Sequence, residues 1–296
     1  MLVGLVGSGK STCAKKLKDT YGSDKTLIIE SDAYREIFYG KPEIQGDNNK
    51  LFEIIHNDIL ANLSNGLNVV FDATNVSRKH RVALLQKLGN NVVKECIVLA
   101  TSYGRCVENN QSRSRVVPKE VIDRMWKSFQ FPTPTEGWDL IDIEYNYDET
   151  VYDLDEYLSF ADHFDQMNPY HSMTLGIHSR KVAEYLSMNN VDKWVELAGL
   201  LHDCGKPMVQ SFEEKEDKVI ARYFNHENVS AYEAMFYLDT KVTRMVDLIN
   251  AITLINYHMR MYDVKTDKAK EKLKSIVGED LFYFLEMLHD ADKRAH

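Results

Sequence analysis

The sequence predicts two folds in succession: an α/β domain with a largely parallel sheet over residues 1–150, then an all-α domain over residues 151–296. Three observations predict this. Apolar, β-branched runs alternate with helix-like segments as far as about Asn146. An acidic stretch from Asp148 to Glu156 then interrupts the chain. Beyond it the β-branched clusters thin out and apolar residues recur at helical spacing. A chain of 296 residues that is 44% hydrophobic has the material for two ordinary cores.

In order, "LVGLV" reads as a strand and a helix starts at Ser11. "TLIIE" is a second strand, followed by helices around Asp32 to Tyr39 and Leu51 to Asn65. "NVVFDAT" and "VVKECIVLA" are strands separated by a helix from Arg78. The run "GRCVENNQSRSRVVPKEVIDRMWKSF" gives two short helices around an Arg-rich joint, and "WDLIDIEYN" gives a last strand. In the second half, "YHSMTLGIHSRKVAEYLSM", "KWVELAGLLHD", "NVSAYEAMFYL", "KVTRMVDLINAITLINYHM" and "EDLFYFLEMLHDADKRAH" carry the helical period.

Composition narrows the function. The net charge of −9 argues against a general nucleic-acid coat, because phosphate contacts need Lys and Arg. The charge is uneven, however: residues 1–130 hold 19 basic and 14 acidic side chains, residues 131–296 hold 17 and 31. The first half suits an anionic substrate and the second suits cations. Cys13, Cys96, Cys106 and Cys204 form no C-x-x-C pair and read as reduced thiols. No apolar stretch reaches the length of a membrane span and no cleavage-site pattern follows the first apolar residues, so the expected compartment is the cytoplasm, with no membrane partner.

Gly4, Gly9, Lys10 and Ser11 satisfy G-x-x-x-x-G-K-[ST] between a strand and a helix. Such a loop, Gly4 through Gly7, Ser8, Gly9, Lys10, Ser11 and Thr12, wraps phosphates with backbone N–H groups. Lys10 then reaches the β and γ oxygens and Ser11 ligates Mg²⁺. ATP or another nucleoside triphosphate with Mg²⁺ is the expected cofactor. Asp32 and Arg35 follow the second strand, at the edge where open α/β sheets bind ligands. There Asp32 can take a proton from an attacking hydroxyl and Arg35 can hold a phosphate, or Asp32 can simply cap a helix. Asp72 ends another strand, where it caps a helix or orients Arg35 or the metal shell. Arg113 and Arg115 lie where a lid would close over transferring phosphate.

The motifs "GLVGSGKST", "SDAYREIF", "VVFDATN" and "NNQSRSRVVPKEVIDRM" resemble the 5′-hydroxyl polynucleotide kinase family, a P-loop family, over about residues 1–147. The resemblance implies that Lys10 and Ser11 bind nucleotide and metal and that Asp32 is the general base. It also implies that Arg35 contacts the acceptor phosphate, Asp72 supports the site and a lid arginine touches the donor phosphates. Arg113 is the first choice for that arginine and Arg115 the second, because the gap to "VVP" is short.

His178, His202, Asp203, His226, His258 and Asp292 are far apart in sequence, each on or at the end of an expected helix, and a helical bundle can bring them to one point. Imidazole and carboxylate ligands suit a divalent transition metal: Mn, Ni, Co, Fe, Cu or Zn. A metal held so activates water and polarises phosphoryl oxygen. Lys206 is placed to steady a substrate phosphate. The motifs "AGLLHDCGKP", "FNHENVSA", "INYHM" and "LHDADKRAH" resemble HD-superfamily phosphohydrolases, of the type attached to some tRNA nucleotidyltransferases. The resemblance implies that His178, His202, Asp203 and Asp292 form one metal set, with Asp290 competing for the last place. It makes His226 and His258, with Asp203, a second set, and gives His171 a structural role.

Broken RNA carries a 5′-OH on one side and a 2′,3′-cyclic phosphate on the other. The two halves together therefore suggest a bifunctional end-healing enzyme for RNA and also DNA ends, working alongside an RNA ligase. A nucleoside or nucleotide kinase joined to a nucleotidase is the alternative. Oligomeric state is left open.

Overall fold

The computed structural model describes every residue except Gln45, Asp148, Glu149, Val151, Tyr170, His171, Glu216, Asp217 and His296, together with the side chain of Lys215. The structural role expected of His171 therefore lies outside the described residues. The chain divides into two compact units, Met1–Ile122 with Glu136–Asp148, and Asp123–Thr135 with Glu149–His296.

The first unit runs β1 (Leu2–Val3), α1 (Lys10–Tyr21), β2 (Thr26–Glu30), α2 (Ser31–Tyr39), α3 (Asn48–Ser64), β3 (Asn68–Asp72), α4 (Arg78–Leu85), β4 (Glu95–Ala100) and α5 (Tyr103–Gln111). After α6 (Lys119–Lys127), within which the division falls, it closes with β5 (Leu140–Tyr145). Every strand pairing in it is parallel, in the orders β1-β4-β5 and β2-β3. The two groups approach where the Gly4 N–H donates to the Thr74 carbonyl at 3.0 Å.

Alternate strand residues face opposite sides, and both sides are covered. Phe71 packs with Ile29, Leu51, Ile55 and Ile59, while its neighbour Val70 packs with Leu2, Cys13, Ala14 and Leu99. Register sets Glu30 opposite Asp72, so both strands deliver their next residues to one sheet edge. Behind that edge Arg81 and Glu136 form a fully buried two-pronged pair at 2.8 and 2.6 Å, and Arg81 also donates to the Asn75 carbonyl at 2.9 Å.

The second unit contains α7 (Leu154–Ala161), α8 (Leu175–Met188), α9 (Lys193–Leu201), α10 (Lys206–Val209), β6 (Ser211–Lys215) and β7 (Lys218–Arg222). It continues with α11 (His226–Asp239), α12 (Met245–Tyr257), a 3-10 helix (His258–Asp263), α13 (Asp267–Val277) and α14 (Glu279–Arg294). No helix among the described residues is long and apolar enough to cross a membrane.

Two features depart from expectation. The helical half also carries an antiparallel hairpin formed by β6 and β7. A lone hairpin is marginal. This one gains a third backbone segment, through Ala221 N–H to the Met167 carbonyl at 2.8 Å and Asn168 Nδ2 to the Ala221 carbonyl at 3.0 Å. Residues 123–135, placed with the first domain by sequence, cluster with the second unit. The cause is burial of Phe129 and Phe131. Phe129 meets Tyr232 edge-on at 5.0 Å, and the Phe131 N–H donates to Asn256 Oδ1 at 2.8 Å. Asn228 Nδ2 donates to the Lys127 carbonyl at 2.8 Å.

Candidate functional site

Each unit builds a site of its own. In the first, Gly7 and Gly9 adopt φ of 84° and 91°, which the loop between β1 and α1 needs and a side chain resists. A Cβ on Gly7 would also run into the Cys106 carbonyl. Three side chains brace the loop from behind. Thr101 Oγ1 and Asn146 Nδ2 donate to the Ser8 carbonyl at 3.0 and 2.9 Å, and Asn109 Nδ2 donates to the Gly7 carbonyl at 2.9 Å. The first turn of α1, with Ser11 and Thr12 exposed on it, has N–H groups with no intrahelical acceptor, which suits phosphate oxygens.

Lys10 lies back on the loop, with Nζ 2.6 Å from the Leu5 carbonyl and 3.2 Å from that of Gly4. Burial pushes its pKa down to about 8, and Asp72 opposes the shift most. Asp32 and Arg113 act on Lys10 too, so these four groups share one field. Arg115 Nη1 is 2.7 Å from Asp32 Oδ2. Arg35 is buried, donates to Asn48 Oδ1 at 2.7 Å and lies 6.0 Å from the Phe52 ring centre. Burial lowers its pKa and Asp32 resists.

The structure thus brings Lys10, Asp32, Asp72, Arg113, Arg115 and Arg35 to one strand edge. Neither Asp caps a helix: the N-caps of α2 and α4 are Glu30 and Ser77. Thr101, Asn109, Asn146 and Asn48 are additions. Thr101 and Asn146 follow strands directly, and the rule that singled out Asp32 finds them as well.

In the second unit, α9 ends at Leu201 and turns through His202, Asp203 and Gly205. Gly205 is required because a Cβ would lie 2.8 Å from the His226 carbonyl and 2.5 Å from the Ser230 nitrogen. Its N–H instead donates to Ser230 Oγ at 2.8 Å, which brings α11 and its His226 alongside Asp203.

The two oxygens of Asp203 face different pairs of imidazoles. Oδ2 lies 3.3 Å from His202 Nε2 and 3.6 Å from His178 Nε2, while Oδ1 lies 3.0 Å from His226 Nε2 and 3.7 Å from His258 Nε2. Asp292 Oδ1 joins the first pair, 3.2 Å from His178 and 3.7 Å from His202. Asp292 is buried and Asp290 is exposed. Lys206 is buried, with Nζ 2.6 Å from Asp203 Oδ2 and 2.8 Å from Gln166 Oε1. It braces Asp203, whereas the sequence placed it on a substrate phosphate.

The donor chemistry fits metal. His202, His226 and His258 place Nδ1 2.7, 2.8 and 2.7 Å from the carbonyls of Gly199, Tyr223 and Ile255, and His178 places its own 3.3 Å from that of Ala295. Protons on Nδ1 leave the Nε2 lone pairs facing inward, the form in which imidazole ligates metal. Those lone pairs meet at 3.4 Å between His178 and His202 and at 3.3 Å between His226 and His258, repulsive unless positive charge lies between them.

The titration directions show that the carboxylates favour positive charge at this place. Burial alone would lower His202, yet Asp203 and Asp292 push it up to about 10. Burial, with His202 and His226, pushes His258 down to about 3. Burial opposes ionisation of Asp203, but His202 and Lys206 hold it well below the usual carboxylate range. His178, His202 and Asp203 form one ligand trio and Asp203, His226 and His258 a second.

Comparison with known proteins also finds two different families along the chain. Residues 1–132 match an AAA domain family and residues 170–293 match the HD domain family. The chain is also similar to the L-seryl-tRNA(Sec) kinase of Methanococcus maripaludis, at 30% identity over 172 residues. That match covers 54% of this chain and 62% of the relative, so the chain spans about three fifths of the curated protein it matches. A P-loop, kinase-like parallel sheet is therefore followed by a helical HD domain.

Proposed function

We propose that the protein prepares both ends of a broken RNA. Its first unit would transfer the γ-phosphate of ATP to a 5′-hydroxyl. Its second would hydrolyse a 2′,3′-cyclic or 3′-phosphate. The observation that carries this reading is the presence, in one chain, of two separately built sites for phosphate. One sets a P-loop lysine in the field of an exposed carboxylate, and the other is a buried His/Asp cluster.

In the kinase reaction, Asp32 accepts the proton of the attacking hydroxyl, with its carboxylate oriented by Arg115. Lys10 and Arg113 spread positive charge over the donor phosphates, and Ser11 would hold Mg²⁺. Arg35, held by Asn48, meets the acceptor phosphate.

At the HD site, bound divalent cations supply an activated water and polarise a phosphoryl oxygen. His178, His202 and Asp292 would hold one cation, and His226 and His258 a second. Asp203 gives one oxygen to each, and Lys206 keeps Asp203 ionised and in place.

A second reading, a small-molecule kinase joined to a nucleotidase, is favoured by the similarity to a kinase whose name specifies seryl-tRNA rather than a polynucleotide end. One assay separates the two. The protein is given ATP, Mg²⁺ and Mn²⁺, Co²⁺ or Ni²⁺ with RNA bearing a 5′-OH and a terminal 2′,3′-cyclic phosphate, and in parallel with mononucleosides and mononucleotides. RNA end healing predicts a new 5′-phosphate and loss of the cyclic phosphate. Turnover of the small molecules alone would establish the second reading.

A further inference from the structure

The two oxygens of Asp292 meet different partners. Oδ1 faces His178 and His202, while Oδ2 accepts a hydrogen bond from the Tyr262 hydroxyl at 2.8 Å. Tyr262 belongs to the 3-10 helix that begins at His258, four residues earlier, so it starts from the other imidazole pair. Its ring stands edge-on to His289, with centres 4.5 Å apart and planes at 81°, and His289 lies on α14 one turn before Asp292. The phenol is thus fixed on two sides, by its ring against α14 and by its hydroxyl on the carboxylate.

A carboxylate on an aspartate can turn and bind a cation through one oxygen or two. A donor locked on Oδ2 removes that freedom and leaves Oδ1 directed at the cluster. We propose that Tyr262 is a positioning residue that fixes Asp292 as a one-oxygen ligand for the cation held by His178, His202 and Asp203. This rests on the reading that the cluster holds divalent cations. Tyr262 is 39% exposed, and phenylalanine in its place keeps the ring contact with His289 while losing only the hydroxyl.

The test is a titration of Co²⁺ alone into metal-stripped full-length protein, followed by visible absorption. It compares the wild type with Tyr262→Phe, Asp292→Ala and the double variant. Tyr262→Phe is expected to weaken one of two Co²⁺ ions by about 10- to 100-fold and to shift its absorption band. The other ion and the thermal melt of the metal-free protein should stay unchanged. In the Asp292→Ala background, Tyr262→Phe should have no further effect, because its action passes through that carboxylate.

Three results would overturn the proposal, and they are distinguishable. A Tyr262→Phe protein that binds Co²⁺ as the wild type does removes the positioning role alone. An equal loss with or without Asp292, or a lowered metal-free melt, assigns Tyr262 to packing. A wild type that takes up no Co²⁺ removes the metal reading and the positioning role with it.

Discussion

Lys10 is the residue whose chemistry reaches furthest into function. Burial lowers its pKa to about 8, against the opposing charge of Asp72. Bringing a triphosphate beside it restores the pKa toward the ordinary lysine range, so binding takes up a proton wherever the free protein has lost one. Nucleotide affinity should be flat below about pH 8 and fall by roughly tenfold per pH unit above it. Calorimetric titration of nucleotide at pH 7 and pH 9 reads this directly, and equal affinities would contradict it.

The candidate residues for phosphate chemistry were legible in the sequence because their chemistry is rare in those places. A Gly-Lys-Ser after a strand, an Asp-x-x-Arg at a strand end and an His-Asp closing an apolar helix all stand out. The preference for Asp292 over Asp290 rested in the sequence on resemblance alone; both lie on the last turns of α14, where Asp292 is buried and Asp290 exposed. Tyr262 and Asn109 were not legible, because their roles are hydrogen bonds to groups at least 30 residues away in the chain.

At the scale of elements, the sequence periods identified the five parallel strands and the helices that carry the site. Two features were not legible in them, for different reasons. The hairpin β6–β7 lies within a charged stretch, and its stabilising partner, the backbone at Met167, is about 50 residues distant. Residues 123–135 follow the Arg-rich joint without a break in composition, and the burial of Phe129 and Phe131, with the hydrogen bonds to Asn228 and Asn256, groups them with the helical unit. Phe131→Ala should therefore destabilise that unit by ~3–5 kcal/mol, the usual cost of truncating a buried aromatic. Denaturant unfolding of the full chain checks this. A change below about 1 kcal/mol, typical of a surface site, would detach the segment from the helical core.

For the molecule as a whole, each unit assembles its site from its own chain segments. The first places Lys10, Asp32, Asp72 and Arg113 at one sheet edge. The second gathers four imidazoles and Asp292 around Asp203, whose two oxygens face separate pairs. Such independence predicts that either chemistry survives loss of the other.

The most direct measurement uses Lys10→Ala and Asp203→Ala on RNA that carries both a 5′-OH and a terminal cyclic phosphate, with bound metal quantified for each protein. Lys10→Ala is expected to abolish 5′ phosphorylation while keeping its metal and its hydrolysis of the cyclic phosphate. Asp203→Ala is expected to lose the metal and the hydrolysis while still phosphorylating the 5′ end. If each substitution silences both ends, or neither, the two-site account is contradicted.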